Sequence, residues 1–359
     1  MGRGRCRPLT PQVIAAQAFG PGRVPVIELL PKAQRIYAAV IGLLDGQTAE
    51  GPPGDAAKGR RMSDESRGWQ QLIGIALGLA VLGLTGGYLG WLHPLGDSLA
   101  VGRGIAAVAV LVLAVFASFA GLRMAAFGSM LLALLTGGQV LLAYSWPGLS
   151  GQYSVYQKNM LFRNAELPAL AEDIRTTNPM IVTLQEVLPE NRAWMDGLKD
   201  AWPHQLLCPG GRVGGPAILS RLPAVAGTEF CGPGLAAMQV VGGAPDNPDL
   251  FWVVSVHLHW PWPYSQAEHV DLLLPILDKL QGPAIMAGDF NMVRWANSVT
   301  KMAAILGVRP TGPTMGSYVG LSSLLPLPID HVFATHGGKV TPRPAAGSDH
   351  LGLLADVAI

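Results

Sequence analysis

Hydrophobic and polar positions follow two different regimes along this chain. From residue 68 to residue 157 charged side chains almost vanish. None occurs from Gly68 to Gly96, from Gly104 to Leu122, or from Met124 to Gln157. A helix of a soluble protein keeps a polar stripe opposite its apolar face, and these runs keep almost none. Each run offers about the 20 residues that a helix needs to cross a bilayer. The pattern predicts three transmembrane helices, over 71–92, 99–120 and 124–145, joined by short turns. Trp69, Trp91, Tyr144 and Trp146 fall at the ends of these spans, where interfacial aromatics collect. Gly74-x-x-x-Gly78, Gly83-x-x-x-Gly87 and Gly86-x-x-x-Gly90 have the small-residue spacing that lets helix backbones approach. The alternative is that glycine is simply frequent in membrane helices.

Beyond residue 150 the period changes. Short apolar, β-branched stretches at 153–158, 180–184, 217–220, 251–258, 284–287 and 331–334 read as strands. Amphipathic patterns at 166–177, 190–201, 266–280 and 296–306 read as helices between them. This mixture predicts one α/β domain large enough for its own core.

Composition sharpens the division. The chain has 359 residues, 50% hydrophobic and 14% charged, which excludes intrinsic disorder. Its net charge of +1 conceals a basic first part, +5 over residues 1–150, and an acidic second part, −4 over 151–359. Nucleic-acid binding is driven by Lys and Arg against phosphate, so the second part carries no strong nucleic-acid signal. Ten Lys/Arg precede the first apolar run, and Arg123 separates the second from the third. This bias predicts a cytoplasmic N-terminus. An odd number of passes then places 151–359 on the extracytoplasmic, periplasmic side of the plasma (inner) membrane. Arg103 dissents, and is expected to reach out to the interface. Residues 1–67 read as a cytoplasmic leader, either disordered or left untranslated if synthesis starts at Met62. Residues 68–150 read as the anchor and 151–359 as the catalytic domain. Three cysteines cannot make a disulfide scaffold. Cys208 and Cys231 either pair, as an oxidising compartment allows, or remain buried thiols.

Chemistry-bearing residues recur where the apolar strands stop. Asn159 follows the first, Gln185-Glu186 the second, and His257 closes FWVVSVH. Asp289 and Asn291 lie in GDFN, Asp330 opens IDHVF, and Asp349-His350 precedes LGLLADV. A strand-end Asn or Asp has an ordinary alternative use as a cap or turn. Six such positions in one domain argue for a site at the ends of a sheet. Carboxylate and amide oxygens suit a hard cation such as Mg²⁺. No zinc spacing, nucleophile elbow or Walker loop is present. Carboxylates, amides and histidines together fit metal-assisted attack of water on a phosphate ester.

The ordered set LQEV, ILSRLP, HL, GDFN, IDHVF and SDH resembles the endonuclease/exonuclease/phosphatase superfamily over 151–359. The three spans ahead of it resemble a bacterial membrane-anchored branch. The resemblance implies a four-layer α/β/β/α sandwich preceded by three transmembrane helices, and a Mg²⁺-dependent enzyme, with Mn²⁺ as an alternative. It implies Glu186 as the principal metal ligand, with Asn159 beside it and Asp349 as a second metal-side carboxylate. It implies Asp289 as the residue that orients or deprotonates water, and Asn291 as a phosphate contact. His350 is implied as a phosphate contact held by Asp330, and His257 as a phosphate ligand or acid for the leaving group. Arg221 matches a structural position. Gly215-Pro216-Ala217 departs from the usual Gly-Asn-Ala and removes an amide near the site, so deoxyribonuclease-like activity is not the expectation.

The function expected is therefore a membrane-anchored phosphodiesterase or phosphomonoesterase, its substrate class and oligomeric state open. The rival is a binding or scaffold module that keeps the fold without the chemistry. A transporter would need ionisable groups inside the spans, and only Arg103 qualifies. HLHWPWPY, 257–264, stands apart: Trp260 and Trp262 form a stacking platform, a membrane contact, or a rigid loop packed on its own domain.

Overall fold

The computed structural model describes residues 64–359, so most of the leader and the alternative start at Met62 lie outside the described residues. The charge-free runs fold as helices, though not as three unbroken ones. Helices α1 (Asp64–Gly86) and α4 (Arg123–Ser145) are long and apolar enough to cross a membrane. The second run breaks at Gly102 into α2 (Leu95–Val101) and α3 (Arg103–Phe119), which are bent by 74°. Two helices thus meet the test of length and composition, or three if the bent pair is one span. The expected first span continues to residue 92, whereas the helix stops at Gly86 and residues 87–94 are mostly turn.

Small side chains let these helices close up. Leu77, Leu84, Ala107, Val110, Ala114, Ala117, Ala126 and Ala133 form their common core. Ile105, Phe119, Phe127 and Leu141 point outward and are exposed. Gly78 and Gly83 have open space where a Cβ would go, so two of the expected glycine pairings have a member that makes no close approach. Arg103 does not reach outward. It is buried, donates to the Gly87 carbonyl, and lies 3.9 Å over the Tyr88 ring. The turn after α1 supplies the acceptor and the π-face that compensate a buried cation.

The second part contains β1 (Tyr153–Asn159), β2 (Ile181–Val187), β3 (His204–Leu207), β4 (Gly215–Ser220), β5 (Phe230–Gly232), β6 (Leu235–Ala244), β7 (Asn247–His257), β8 (Ala284–Asp289), β9 (Arg309–Gly312), β10 (Asp330–Ala334), β11 (Gly338–Arg343) and β12 (Gly352–Val357). They pair in the order β3-β4-β2-β1-β12-β11-β9-β10-β8-β7-β6-β5. The sheet curls over, so Val155, Ile181 and Ile218 of one half share a core with Met238, Val253, Ile285 and Val332 of the other. Helices α5 (Leu167–Thr177) and α6 (Arg192–Asp196) cover the outside of the first half. Helices α7 (Gln266–Leu277) and α8 (Asn297–Leu306) cover the outside of the second. Strands β4, β8 and β10 are buried at every residue, which is why they read as continuous apolar runs rather than as alternation.

Three pairs are parallel, β1 with β2, β7 with β8 and β9 with β11. The first two are joined by crossovers, provided by α5 and α7. These two put Asn159 opposite Gln185 and His257 opposite Asp289. Helix α6 is much shorter than the expected 190–201, ending against Gly197. Cys208 and Cys231 form a disulfide, with Cα atoms 5.3 Å apart, which decides between the two states left open above.

The apolar helices grip the second part directly. Asp97, buried in α2, accepts from the backbone N–H of Asn297 at 2.7 Å and of Ser298 at 2.9 Å, at the start of α8. Ala296, the N-cap residue of α8, supplies no side-chain bond of its own. Trp295 donates to the Ala100 carbonyl at 2.9 Å. The Ala143 carbonyl accepts from Arg294 at 2.7 Å and from the Thr314 N–H at 2.9 Å. A Cβ on Gly90 would collide with Asp97 and come within 2.9 Å of Asn297 Cβ. That glycine therefore serves the joint with α8.

Candidate active site

Strand β1 delivers Asn159 to the end of the sheet, and β2 delivers Glu186 beside it. Pairing of β2 with β4 shifts register between Leu184 and Val187, and Glu186 has φ 61°. A bulge re-aims a side chain in this way, and a positive φ on glutamate is a strained backbone state. The Glu186 carboxylate accepts from Asn159 Nδ2 at 3.1 Å and from the Phe162 N–H at 3.0 Å. Asn159 Oδ1 accepts from the Leu161 N–H at 3.0 Å, which holds the amide in place.

Asp289 ends β8. Its Oδ1 accepts from the Asn291 N–H at 2.8 Å, and its Oδ2 accepts from Asn159 Nδ2 at 2.9 Å. The same Oδ2 lies 3.8 Å from His257 Nε2 and 3.7 Å from His350 Nε2. His257 Nε2 is also 4.0 Å from Glu186 Oε1. Asn291 donates one Nδ2–H to the Leu258 carbonyl at 2.8 Å. His350 Nδ1 donates to Asp330 Oδ2 at 2.7 Å, while Gln157 Nε2 donates to Asp330 Oδ1 at 3.0 Å. Asp349 Oδ1 sits 4.0 Å from His350 Nε2. All eight expected residues, Asn159, Glu186, His257, Asp289, Asn291, Asp330, Asp349 and His350, thus fall in one network.

Burial sets the electrostatics. It pushes the Asp289 carboxyl up, reinforced by Asp330 and opposed by His350 and His257, and the net is upward. Burial also pushes Asp330 up, but contact with His350 outweighs it and holds that carboxyl below the usual range. Burial pushes His350 down, and its two carboxylate neighbours, Asp330 first and then Asp289, lift it to about 9. The imidazole is therefore charged at neutral pH.

Ligand atoms of Asp289, Asp330 and His350 lie within 4.8 Å of one another. Asp330 and His350 already spend their facing atoms on each other, so a cation fits better across the opposite side. There Glu186 Oε1 and Asp289 Oδ2 accept from the same Asn159 nitrogen. Two facing carboxylates are the donor chemistry of a hard divalent cation.

Several contributors had no motif. Lys158 is buried and donates to the carbonyls of Pro344 at 3.1 Å, Ala345 at 2.6 Å and His350 at 2.5 Å, tying down the loop that carries Asp349 and His350. Burial pushes its amine down to about 8, with Asp330 and Asp173 pulling the other way. Ser348 Oγ donates to the Asn159 carbonyl at 2.7 Å. The Tyr318 ring packs 4.9 Å from the His350 ring, with Trp260 edge-on to it at 5.8 Å. A charged residue next to Asn159 in a buried strand was a signal for Lys158. Tyr318 sits in an irregular loop with no spacing to reveal it. His259 bonds Ser265 at 2.9 Å and packs on His269. Arg221 donates to Asn178 at the surface.

Residues 156–350, just over half of the chain, match the Endonuclease/Exonuclease/phosphatase family. No curated protein matches the chain. Among solved structures, the human Nocturnin catalytic domain with bound sulfate anion is similar at 17% identity and TM-score 0.43, covering 59% of this chain and 93% of that one. A beta toxin from Staphylococcus aureus with bound magnesium ions is similar at 14% identity and TM-score 0.42, covering 57% and 99%. Truncated Caenorhabditis elegans TDP2 is similar at 16% identity and TM-score 0.41, covering 56% and 96%.

Proposed function

The chain belongs to the endonuclease/exonuclease/phosphatase family, whose members are generally phosphoester hydrolases, and on that premise we propose that it is a membrane-anchored phosphoesterase assisted by Mg²⁺ or Mn²⁺. We read its layers as α/β/β/α. We read α1, the bent pair α2–α3, and α4 as three passes that leave residues 151–359 outside the cytoplasm. The Cys208–Cys231 disulfide supports that side, because such bonds persist in oxidising compartments.

Held by Glu186 on the side that faces Asn159 and Asp289, the cation would supply Lewis-acid neutralisation of phosphate oxygens. Asp289 Oδ2 takes the proton of the attacking water, and the upward push on its carboxyl suits a base. Asn291 keeps its second Nδ2–H for a phosphate oxygen. His350, charged and oriented by Asp330, donates its Nε2–H to the crowded phosphorus centre. His257 protonates the leaving oxygen as its bond to phosphorus breaks.

The observation that carries this reading is the convergence on Asp289 Oδ2 of three nitrogens from three separate segments, at 2.9, 3.8 and 3.7 Å. The test uses the full chain in detergent with bis-p-nitrophenyl phosphate and Mg²⁺. Asp289→Asn and His350→Gln should each lower turnover by about two to four orders of magnitude. Undiminished turnover in both variants would overturn the assigned roles. Phosphate binding without any turnover in the unaltered chain would favour the scaffold alternative.

A further inference from the structure

Three loops lead away from the candidate site, and all three are fastened to the anchor. The first runs from His257 to the Trp262 carbonyl, which accepts from Ser98 Oγ at 2.8 Å, and the Trp262 ring lies edge-on to His93 at 6.2 Å. The second runs from Asp289 to Asn297 and is held at Arg294, Trp295 and the two amides that bond Asp97. The third leaves β9 with the Thr314 N–H on the Ala143 carbonyl, and then brings Tyr318 against His350. The loops that flank the site are therefore fastened to the apolar helices.

The first and third loops share a composition. No Asp, Glu, Lys or Arg occurs from residue 258 to 267 or from 310 to 329. Their large apolar side chains stand in the open: Trp260 is 42% exposed, Trp262 43%, Leu321 72%, Leu324 88% and Leu325 71%. From the His350 imidazole outward the contacts run to Tyr318 and then to Trp260, with the leucines on the same loop as Tyr318. One flank of a phosphate site is thus apolar. Clustered apolar exposure of this kind marks a membrane or partner contact. The anchor contacts already place these loops at its end, and a bilayer is the occupant continuous with the outward faces of α1 and α4.

We propose that Trp260, Trp262, Leu321, Leu324 and Leu325 enter the bilayer surface and that the site takes a phosphoester carried on an apolar tail, the headgroup phosphate of a membrane amphiphile. This rests on the phosphoesterase reading above. Hydrolysis would break the bond between phosphorus and the leaving oxygen, with one water consumed. The phosphate stays at the polar centre while the tail lies along Trp260 and the leucine loop.

Two phosphodiesters test it, methyl p-nitrophenyl phosphate and hexadecyl p-nitrophenyl phosphate, which release the same chromophore and differ only in the tail. The full chain is assayed in dodecyl maltoside micelles, which contain no competing phosphate. The hexadecyl ester should show the higher kcat/KM. Because its tail enters micelles whatever the protein does, the decisive comparison is the combined variant Leu321→Ser, Leu324→Ser, Leu325→Ser. That variant should raise KM for the hexadecyl ester about tenfold, as expected for loss of partly buried leucine contacts, and leave the methyl ester unchanged. An equal loss on both esters assigns the leucines a structural role and overturns the inference. No loss on either, including the outcome that the patch meets another protein, overturns it as well. If the methyl ester alone is cleaved, the inference fails while the phosphoesterase reading survives. If neither ester is cleaved, both fail.

Discussion

Asp97→Ala should loosen α8 without touching any residue of the candidate site. The Asp97 carboxylate receives two short N–H bonds, at 2.7 and 2.9 Å, and is only 7% exposed. Hydrogen bonds to a charged group contribute about 1.5–3 kcal/mol each, and removing an N-cap acceptor costs about 1 kcal/mol in ordinary cases. Ala296 supplies no substitute acceptor, so the two amides would be left buried and unpaired. A total of about 3 kcal/mol is a reasonable sum, or roughly a hundredfold in a local opening equilibrium. Asp97→Asn keeps one oxygen acceptor and should cost about half as much. Native-state hydrogen exchange of the full chain in detergent reads this directly at the Asn297 and Ser298 amides. Gly90→Ala should act in the same direction, because its Cβ would displace Asp97 while leaving the acceptor present. Exchange at those amides changing by less than about threefold in Asp97→Ala would show that the cap contributes nothing.

Two further outcomes follow from buried basic side chains. Burial pushes His331 down to about 4, although its Nε2–H donates to the Met292 carbonyl at 2.8 Å. The unfolded chain binds that proton first, near the ordinary histidine value, so stability should fall as pH drops from about 6.5 to 4, by about 3 kcal/mol in total. His331→Gln should flatten that limb in denaturant unfolding at pH 7 and 4.5, and an unchanged slope would contradict the assignment. Lys158→Met leaves three loop carbonyls without their donor and should lower kcat about tenfold with KM nearly unchanged, since the loop positions His350. A change confined to KM would count against a positioning role.

The site was legible because its residues lie in short motifs at the ends of buried strands, where apolar runs make any polar residue conspicuous. Asn159, His257, Asp289 and Asp330 could each be placed from that contrast alone. Strand β6 escaped although Gly232-Pro233-Gly234 and Pro245-Asp246 bracket it, because its Ala and Gly residues dilute the β-branched signal, and the short strands β3, β5, β9, β11 and β12 escaped with it. The break at Gly102 escaped because hydropathy sums composition and is blind to direction. Glycine spacing in the first run suggested helix pairing, whereas Gly90 accommodates a carboxylate bonded to amides some two hundred positions later, a relation no local pattern carries. The strain at Glu186 likewise arises from a bulge between two strands, which only pairing reveals.

The grip of Asp97 and Ala143 on the segment after β8 has a consequence for how such a protein could evolve or be processed. A protease nick in the stretch after α4 would not release an intact second part. The freed piece would bare the apolar patch where Val101 packs, and would orphan the two amides at the start of α8. Gene fission, or fusion to a different N-terminal segment, is therefore a closed route unless α2 travels with residues 151–359. The apolar helices are inherited together with the fold they complete.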